Sequence, residues 1–188
     1  MKRSLLLALA VTVLTATAVA APAQAAAGTW GPPTTVSPAG LNAFNPQIVV
    51  LANGTIVATW DGDNGPDNSV LVARSTDAGA TWSAPVSLSP AGVYAYGPRL
   101  GVAANGTITA TWLGDSVARA ATSTNAGLTW SAPVDLSAAG QNANTPQIVV
   151  ASDGTIAVTW ELNDGLSRVV QATTSTNGGV TWSAPVTL

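Results

Sequence analysis

The sequence of 188 residues contains no cysteine and no histidine. Without cysteine the fold has no disulfide, and without either residue type it has no Cys/His zinc site. The lack of histidine also excludes a Ser-His-Asp triad and any catalytic imidazole. A bound metal would therefore have to be a hard cation held by oxygen ligands.

Basic residues are scarce as well. Beyond residue 25 the chain has no lysine and only four arginines, against nine carboxylate side chains, which gives a net charge of −5. Nucleic acids and anionic membrane surfaces are bound by clustered basic groups. We therefore expect neither of them as a partner.

The first 25 residues have the composition of a secretory signal peptide. Lys2 and Arg3 precede an apolar run over residues 5–20, and Ala-Gln-Ala at 23–25 supplies small residues for cleavage after Ala25. The alternative is a membrane anchor, but the run is short for a span. The prediction is a secreted, extracellular protein that leaves the membrane after cleavage.

The rest of the chain, residues 26–188, repeats itself. Pro-Gln-Ile-Val-Val occurs at 46–50 and again at 146–150, with a looser copy at 98–102. Such periodicity indicates a repeat architecture rather than an ordinary globular core. The predicted repeats, together with one extra outer strand before them, span residues 29–36, 46–88, 98–136 and 146–188.

Each repeat is predicted to hold four short strands. In the first repeat these are placed at 47–51, 55–60, 69–76 and 82–88. Asn53-Gly54 is typical of a two-residue hairpin turn between the first two. Pro85 places the fourth strand at a sheet edge, because proline donates no hydrogen bond. Four antiparallel strands per unit are typical of a propeller blade, so we predict an all-β chain with essentially no helix after the signal peptide.

One motif recurs in all three repeats between the third and fourth strands. The sequence Ser-x-Asp/Asn-x-Gly-x-x-Trp is carried by Ser75, Asp77, Gly79 and Trp82, by Ser123, Asn125, Gly127 and Trp130, and by Ser175, Asn177, Gly179 and Trp182. It resembles the Asp-box, or bacterial neuraminidase repeat, of the sialidase-like β-propellers. The resemblance implies that these residues shape and anchor a hairpin, with the glycines at positive φ; ligand binding by them is the alternative.

The opposite end of the blades is predicted to carry the function, since the connections there vary in length and sequence. Phe44, Tyr94 and Tyr96, the only aromatic residues other than tryptophan, lie in the loops between repeats. Rings beside amides suit sugar binding, and the loops also contain Asn42, Asn142 and Asn144. The predicted ligand is a glycan or a protein surface; the alternative is that the rings merely cover the end of the blades.

An acidic loop in the first repeat contains Asp61, Asp63 and Asp67. Alternating carboxylates resemble a calcium-binding loop, although the register and bidentate glutamate of an EF-hand are absent. A Ca²⁺ site and a solvated acidic turn are the two interpretations. We predict no other cofactor.

The resemblance also raises a sialidase-type glycoside hydrolase, which would need an arginine triad, a Tyr–Glu pair and an acid/base. The candidates are Glu161, Tyr94, Tyr96, Arg99 and Arg168. The Phe/Tyr-Arg-Ile-Pro motif of the first sialidase arginine is absent. We therefore favour binding without catalysis, with the hydrolase and a structural extracellular repeat protein as alternatives.

Three blades do not close a ring, since propellers have at least four. The sequence therefore predicts either the first half of a longer propeller or self-association of two chains to complete one.

Overall fold

The computed structural model describes residues 32–63, 67–163 and 165–188. These residues form three four-stranded antiparallel sheets, which confirms the predicted all-β fold. Within the described ranges no helix is long and apolar enough to cross a membrane. The predicted signal peptide, residues 1–25, and the start of the extra outer strand, residues 29–31, lie outside the described residues.

Each sheet is one blade, and its strands follow one another in chain order. Blade 1 consists of β1 (Ala43–Val50), β2 (Ile56–Asp63), β3 (Asn68–Ser75) and β4 (Val86–Ser87); blade 2 of β5 (Ala95–Val102), β6 (Ile108–Gly114), β7 (Val117–Ser123) and β8 (Val134–Asp135); blade 3 of β9 (Ala143–Val150), β10 (Ile156–Asn163), β11 (Arg168–Ser175) and β12 (Val186–Thr187). The first strand of each blade begins three residues before the proline that we used to mark it.

The turn between β1 and β2 is longer than predicted. Gly54 N–H donates to the Leu51 carbonyl at 2.9 Å, and Gly54 itself has a φ of 82°. Thr55 N–H in turn donates to the side chain of Asn53 at 3.0 Å. A tight turn closed by a glycine at positive φ makes a three-residue loop, so the two-residue prediction is wrong.

The fourth strand is much shorter than predicted. Only Val86 and Ser87 pair with β3, whereas residues 82–85 are not a strand. Pro85 cannot donate to the ladder, and Ser83 closes the sheet differently: its N–H donates to the Arg74 carbonyl at 2.9 Å, while its Oγ accepts from Arg74 N–H at 3.1 Å.

The extra outer strand predicted at 29–36 is not a strand in its described part, residues 32–36. Val36 nevertheless packs against Trp60 of blade 1. In the same way, Leu88, just after the fourth strand of blade 1, belongs to the core cluster that contains Trp112 of blade 2. Val36 thus takes the place that the end of a preceding blade's fourth strand would take.

The two larger core clusters lie between the blades, and a smaller one lies within blade 1. Between blades 1 and 2, Val57 and Val70 pack with Ile108 and Trp112. Leu113 and Leu136 of blade 2 pack with Trp160 and its neighbours in blade 3. Blade 2 therefore packs on both faces, which leaves little room for charge in its strands. The self-association inferred from the blade count stays a prediction.

Length varies where the sequence predicted it, in the β2–β3 connection. Blade 2 makes this connection with Asp115 and Ser116 alone, at φ of 48° and 62°. Two positive φ values are typical of the type I′ hairpin turn. The other two blades have four residues between these strands.

Candidate functional site

The two ends of the blades differ as predicted. The β1–β2 turns of blades 1 and 2, at residues 51–53 and 104–106, line one depression of about 360 Å³ with residues 124–126 of the Asp-box turn. The β2–β3 loops and the loops that enter each blade line a different cleft. The first end holds the Asp-box turns, and the second holds the candidate site.

In the Asp-box of blade 1 the side chains hold the backbone of the turn. Ser75 Oγ accepts the Gly79 N–H at 2.9 Å and donates to Asp77 Oδ1 at 2.8 Å. Asp77 also accepts the hydroxyl of Thr81 at 2.5 Å and its N–H at 2.9 Å. These donors, the Thr81 hydroxyl first, lower the pKa of Asp77 to about 2.

The two copies with asparagine keep the same geometry. Asn125 accepts the Thr129 N–H at 2.9 Å, and its amide donates to the Thr129 hydroxyl at 2.8 Å. Asn177 and Thr181 repeat these contacts at 3.0 and 2.8 Å. The threonine is thus a fifth member of the motif that the sequence analysis missed. Its constant position one residue before the tryptophan was the available signal.

The motif glycines have positive φ, as expected, and those of blades 2 and 3 mark contacts between blades. Gly79, Gly127 and Gly179 have φ of 87°, 77° and 85°. A Cβ on Gly127 would lie 3.0 Å from Val57 of blade 1, and one on Gly179 would lie 2.4 Å from Thr122 of blade 2. The Asp-box turns of blades 2 and 3 therefore pack against the preceding blade.

A cleft of about 880 Å³ opens at the other end, between blades 1 and 2. It brings together the three predicted aromatic residues, Phe44, Tyr94 and Tyr96. Phe44 and Tyr94 are each 55% exposed, and the two tyrosine rings lie 5.9 Å apart at 56°. Solvent-exposed rings in a concave site are available for stacking on a ligand.

The carboxylates of the cleft are not equivalent. Asp61 is only 3% exposed and accepts three hydrogen bonds, from Asn45 at 2.9 Å, Asn68 at 3.1 Å and the Gly97 N–H at 3.0 Å. Asn68 also donates to the Ala95 carbonyl at 2.9 Å. Asp61 therefore joins blade 1 to blade 2 beneath the cleft, and its lone pairs are largely occupied.

The other cleft carboxylates are Asp63, Asp67 and Asp115. Asp63 accepts the Asn42 amide at 2.8 Å, and Asp115 accepts the Tyr94 N–H at 3.1 Å. No three carboxylates of the described residues are grouped so that they could hold a metal ion. The Ca²⁺ site suggested for Asp61, Asp63 and Asp67 is therefore not formed by them, because Asp61 faces internal donors instead.

The predicted asparagines do not join the aromatic residues. Asn42 is engaged with Asp63 but is not part of the cleft wall. Asn142 and Asn144 lie at the entry to blade 3, where the Asn144 amide donates to the Asn142 carbonyl at 3.2 Å. The amides that do line the cleft are Asn45 and Asn68, which the sequence analysis did not select.

The residues considered for sialidase chemistry are also scattered. Glu161 forms an exposed ion pair with Arg168 at 3.6 Å on blade 3. Arg99 donates to its neighbouring Pro98 carbonyl at 2.9 Å. Of the five candidates only Tyr94 and Tyr96 line the cleft, and no arginine or lysine stands among its described lining residues.

The sequence profile of the BNR repeat-like domain matches residues 11–188. The chain belongs to the BNR repeat-like family. None of the curated proteins matches this BNR repeat-like chain.

Solved structures share its fold at low identity. The Hadza microbial sialidase Hz136 is 20% identical with a TM-score of 0.58, over 74% of this chain and 36% of the sialidase. A protein of unknown function from Dyadobacter fermentans is 17% identical with a TM-score of 0.63, over 78% and 55%. The GH93 α-L-arabinofuranosidase of Fusarium graminearum is 18% identical with a TM-score of 0.59, over 77% and 48%. The BNR repeat-like chain thus spans about a third to a half of these proteins.

Proposed function

We propose that this chain is a secreted carbohydrate-binding module that holds a glycan in the cleft between blades 1 and 2 without cleaving it. The observation that carries the proposal is the cleft itself, with Phe44, Tyr94 and Tyr96 on its walls. Its volume of about 880 Å³ falls within the range of small-molecule sites. Rings stack on the apolar faces of sugars, and the polar groups between them pair with hydroxyls.

The relatives support this class of ligand. Two structural neighbours are a sialidase and an α-L-arabinofuranosidase in complex with arabinobiose, so both are named for carbohydrate substrates. At 18–20% identity they share the fold alone with this chain. The ligand class is therefore proposed from the cleft, and the neighbours are consistent with it.

The charges at the site support binding without catalysis. A sialidase grips the carboxylate of its substrate with arginines, whose planar guanidinium groups bind it in a bidentate manner. Here the described lining residues include four aspartates and no basic side chain. An acidic sugar would be repelled from this cleft rather than bound. Of the three remaining catalytic candidates, Glu161 and Arg168 pair with each other on another blade, and Arg99 donates to the Pro98 carbonyl.

Calorimetry against a panel of oligosaccharides tests the proposal, with Tyr94→Ala as the first variant. Losing the exposed ring should weaken binding about 10-fold, equivalent to about 1.4 kcal/mol. Leu128→Ala is the matched control, because Leu128 is 63% exposed but belongs to the Asp-box turn of blade 2. Equal affinities for both variants and the unaltered protein would refute a site at the cleft.

Fluorogenic sialosides and arabinofuranosides separate binding from hydrolysis in the same preparation. We expect no turnover of either substrate above the buffer rate. Turnover that is lost in Glu161→Gln would favour the sialidase-type hydrolase instead. Secretion is tested separately by the mass of the exported protein, which should begin at Ala26.

A further inference from the structure

The charged side chains that line the cleft are all acidic, which its role as a sugar site does not by itself require. Four aspartates and three aromatic rings line it, and no positive charge stands among the described lining residues. Resting on the proposed function, we propose that the cleft selects sugars that carry a free amine, that is, cationic glycans of the glucosamine or galactosamine type, over their N-acetylated and acidic counterparts.

The carboxylates of the cleft differ in how many of their oxygens are free for a ligand. Asp61 is buried and takes three internal hydrogen bonds, so it belongs to the scaffold. Asp63 and Asp115 are each engaged through a single oxygen, by Asn42 and by the Tyr94 N–H. One oxygen of each therefore stays available. Together with Asp67 they present acceptors to the cleft from both blades.

Aromatic rings line the cleft together with these acceptors. An ammonium group is attracted to the face of an aromatic ring as well as to a carboxylate. Tyr94 stands next to Asp115, because its own N–H donates to that side chain at 3.1 Å. Phe44 lies opposite Asp61 across the β1–β2 pair, on the blade that also supplies Asp63. Ring faces and negative charge thus line the same cavity.

Such a cavity distinguishes sugars by their charge. A neutral sugar gains stacking and hydroxyl contacts only. An amino sugar of the same shape adds an attraction to the carboxylates, which is stronger at a partly enclosed site than in open water. An acidic sugar meets repulsion from the same groups. Specificity of this kind combines an attractive and a repulsive element at one site.

A pair of oligosaccharides with the same backbone isolates the charge. We would measure the affinity of the full chain for a chitosan tetramer and for its fully N-acetylated form, which offer the same ring faces for stacking. The amine form is expected to bind at least about 10-fold more tightly at low salt. The preference should shrink several-fold as ionic strength rises from about 0.05 to 0.5 M, since exposed charges are screened.

Isosteric variants show which side chains cause the preference for the amine form. Asp63→Asn and Asp67→Asn together should reduce it to about 3-fold or less, mainly by weakening the binding of the amine form. Asp153→Asn removes one charge at the opposite end of blade 3, in the β9–β10 turn, and should leave the preference unchanged. This control separates local recognition from the overall negative charge.

The outcomes keep the two proposals apart. If both tetramers bind equally and Tyr94→Ala weakens both, the cleft is a sugar site without selection for amines, and the present inference is overturned. If the N-acetylated or an acidic sugar binds more tightly, it is overturned as well. If no oligosaccharide of any charge binds, the proposed function itself fails.

Discussion

The carboxylate of Asp61 in blade 1 accepts a hydrogen bond of 3.0 Å from the backbone N–H of Gly97, at the start of blade 2. The same oxygen accepts the amide of Asn45 at 2.9 Å. One side chain thus fixes the strand beside it and the strand of the next blade. Because the cleft opens above this contact, Asp61 sets how blades 1 and 2 present their aromatic residues.

Asp61→Ala should therefore destabilise the protein by about 2–3 kcal/mol, since it leaves several part-buried donors without an acceptor. Asp63→Ala, two residues along the same strand, removes only exposed hydrogen bonds to Asn42 and should cost about 0.5 kcal/mol or less. Urea unfolding at neutral pH measures both variants. Similar losses for the two would show that the bond between the blades is not the source of the effect.

The Asp-box glycine of blade 3 gives a second prediction. Gly179 has a φ of 85°, and a Cβ there would lie 2.4 Å from Cγ2 of Thr122 in blade 2. Gly154 in the same blade has a φ of 86° with open space around it. Gly154→Ala should cost about 1–2 kcal/mol for backbone strain alone. Gly179→Ala should cost about 1–3 kcal/mol more, because it forces the two blades apart.

Thr122→Ser supplies the control for that prediction, because it removes the methyl group that the new Cβ would meet. In a double-mutant cycle it should recover a large part of the cost of Gly179→Ala and none of the cost of Gly154→Ala. Thermal or urea unfolding of the six proteins in the two cycles gives the free energies. If the recovery were the same for both glycines, the close approach between blades would not explain the difference.

Much of this architecture could be predicted from the repeated sequence, because equivalent positions in the three copies expose it directly. The number of blades, the confinement of length changes to the β2–β3 loop and the positive φ of Gly79 all follow from comparing copies. The aromatic loops could also be placed at one end, since the connections of an antiparallel blade alternate between ends.

The parts that could not be predicted depend on contacts between blades. Asp61 resembled a metal ligand in its local sequence, yet its partners Asn45 and Gly97 lie 16 and 36 residues away. The fourth strand was predicted over residues 82–88, but at its start the hydrogen bonds of Ser83 replace the ladder. Sequence spacing reports such long-range competition only weakly.

The last prediction concerns acid. Hydrogen bonds from Thr81 and Ser75 lower the pKa of Asp77 to about 2 in the folded protein, whereas an unfolded aspartate titrates near about 3.9. The charged form is thus favoured by folding, so its stabilising contribution is complete above about pH 4 and is lost as the pH falls towards about 2. The two Asp-boxes with Asn125 and Asn177 have no such titration, although they make the same backbone contacts.

The stability of Asp77→Asn should therefore fall less with decreasing pH than that of the unaltered protein. Asn125→Asp should add a second acid-sensitive loss of stability. The pKa of Asp153 is also lowered, by the Thr155 N–H first, so the Asp77→Asn profile becomes flatter without becoming flat. Urea midpoints measured between pH 5 and pH 2 distinguish the three proteins. Parallel profiles for all three would mean that the hydrogen bonds of the Asp-box do not favour the charged carboxylate, and that the aspartate is interchangeable with asparagine at every pH.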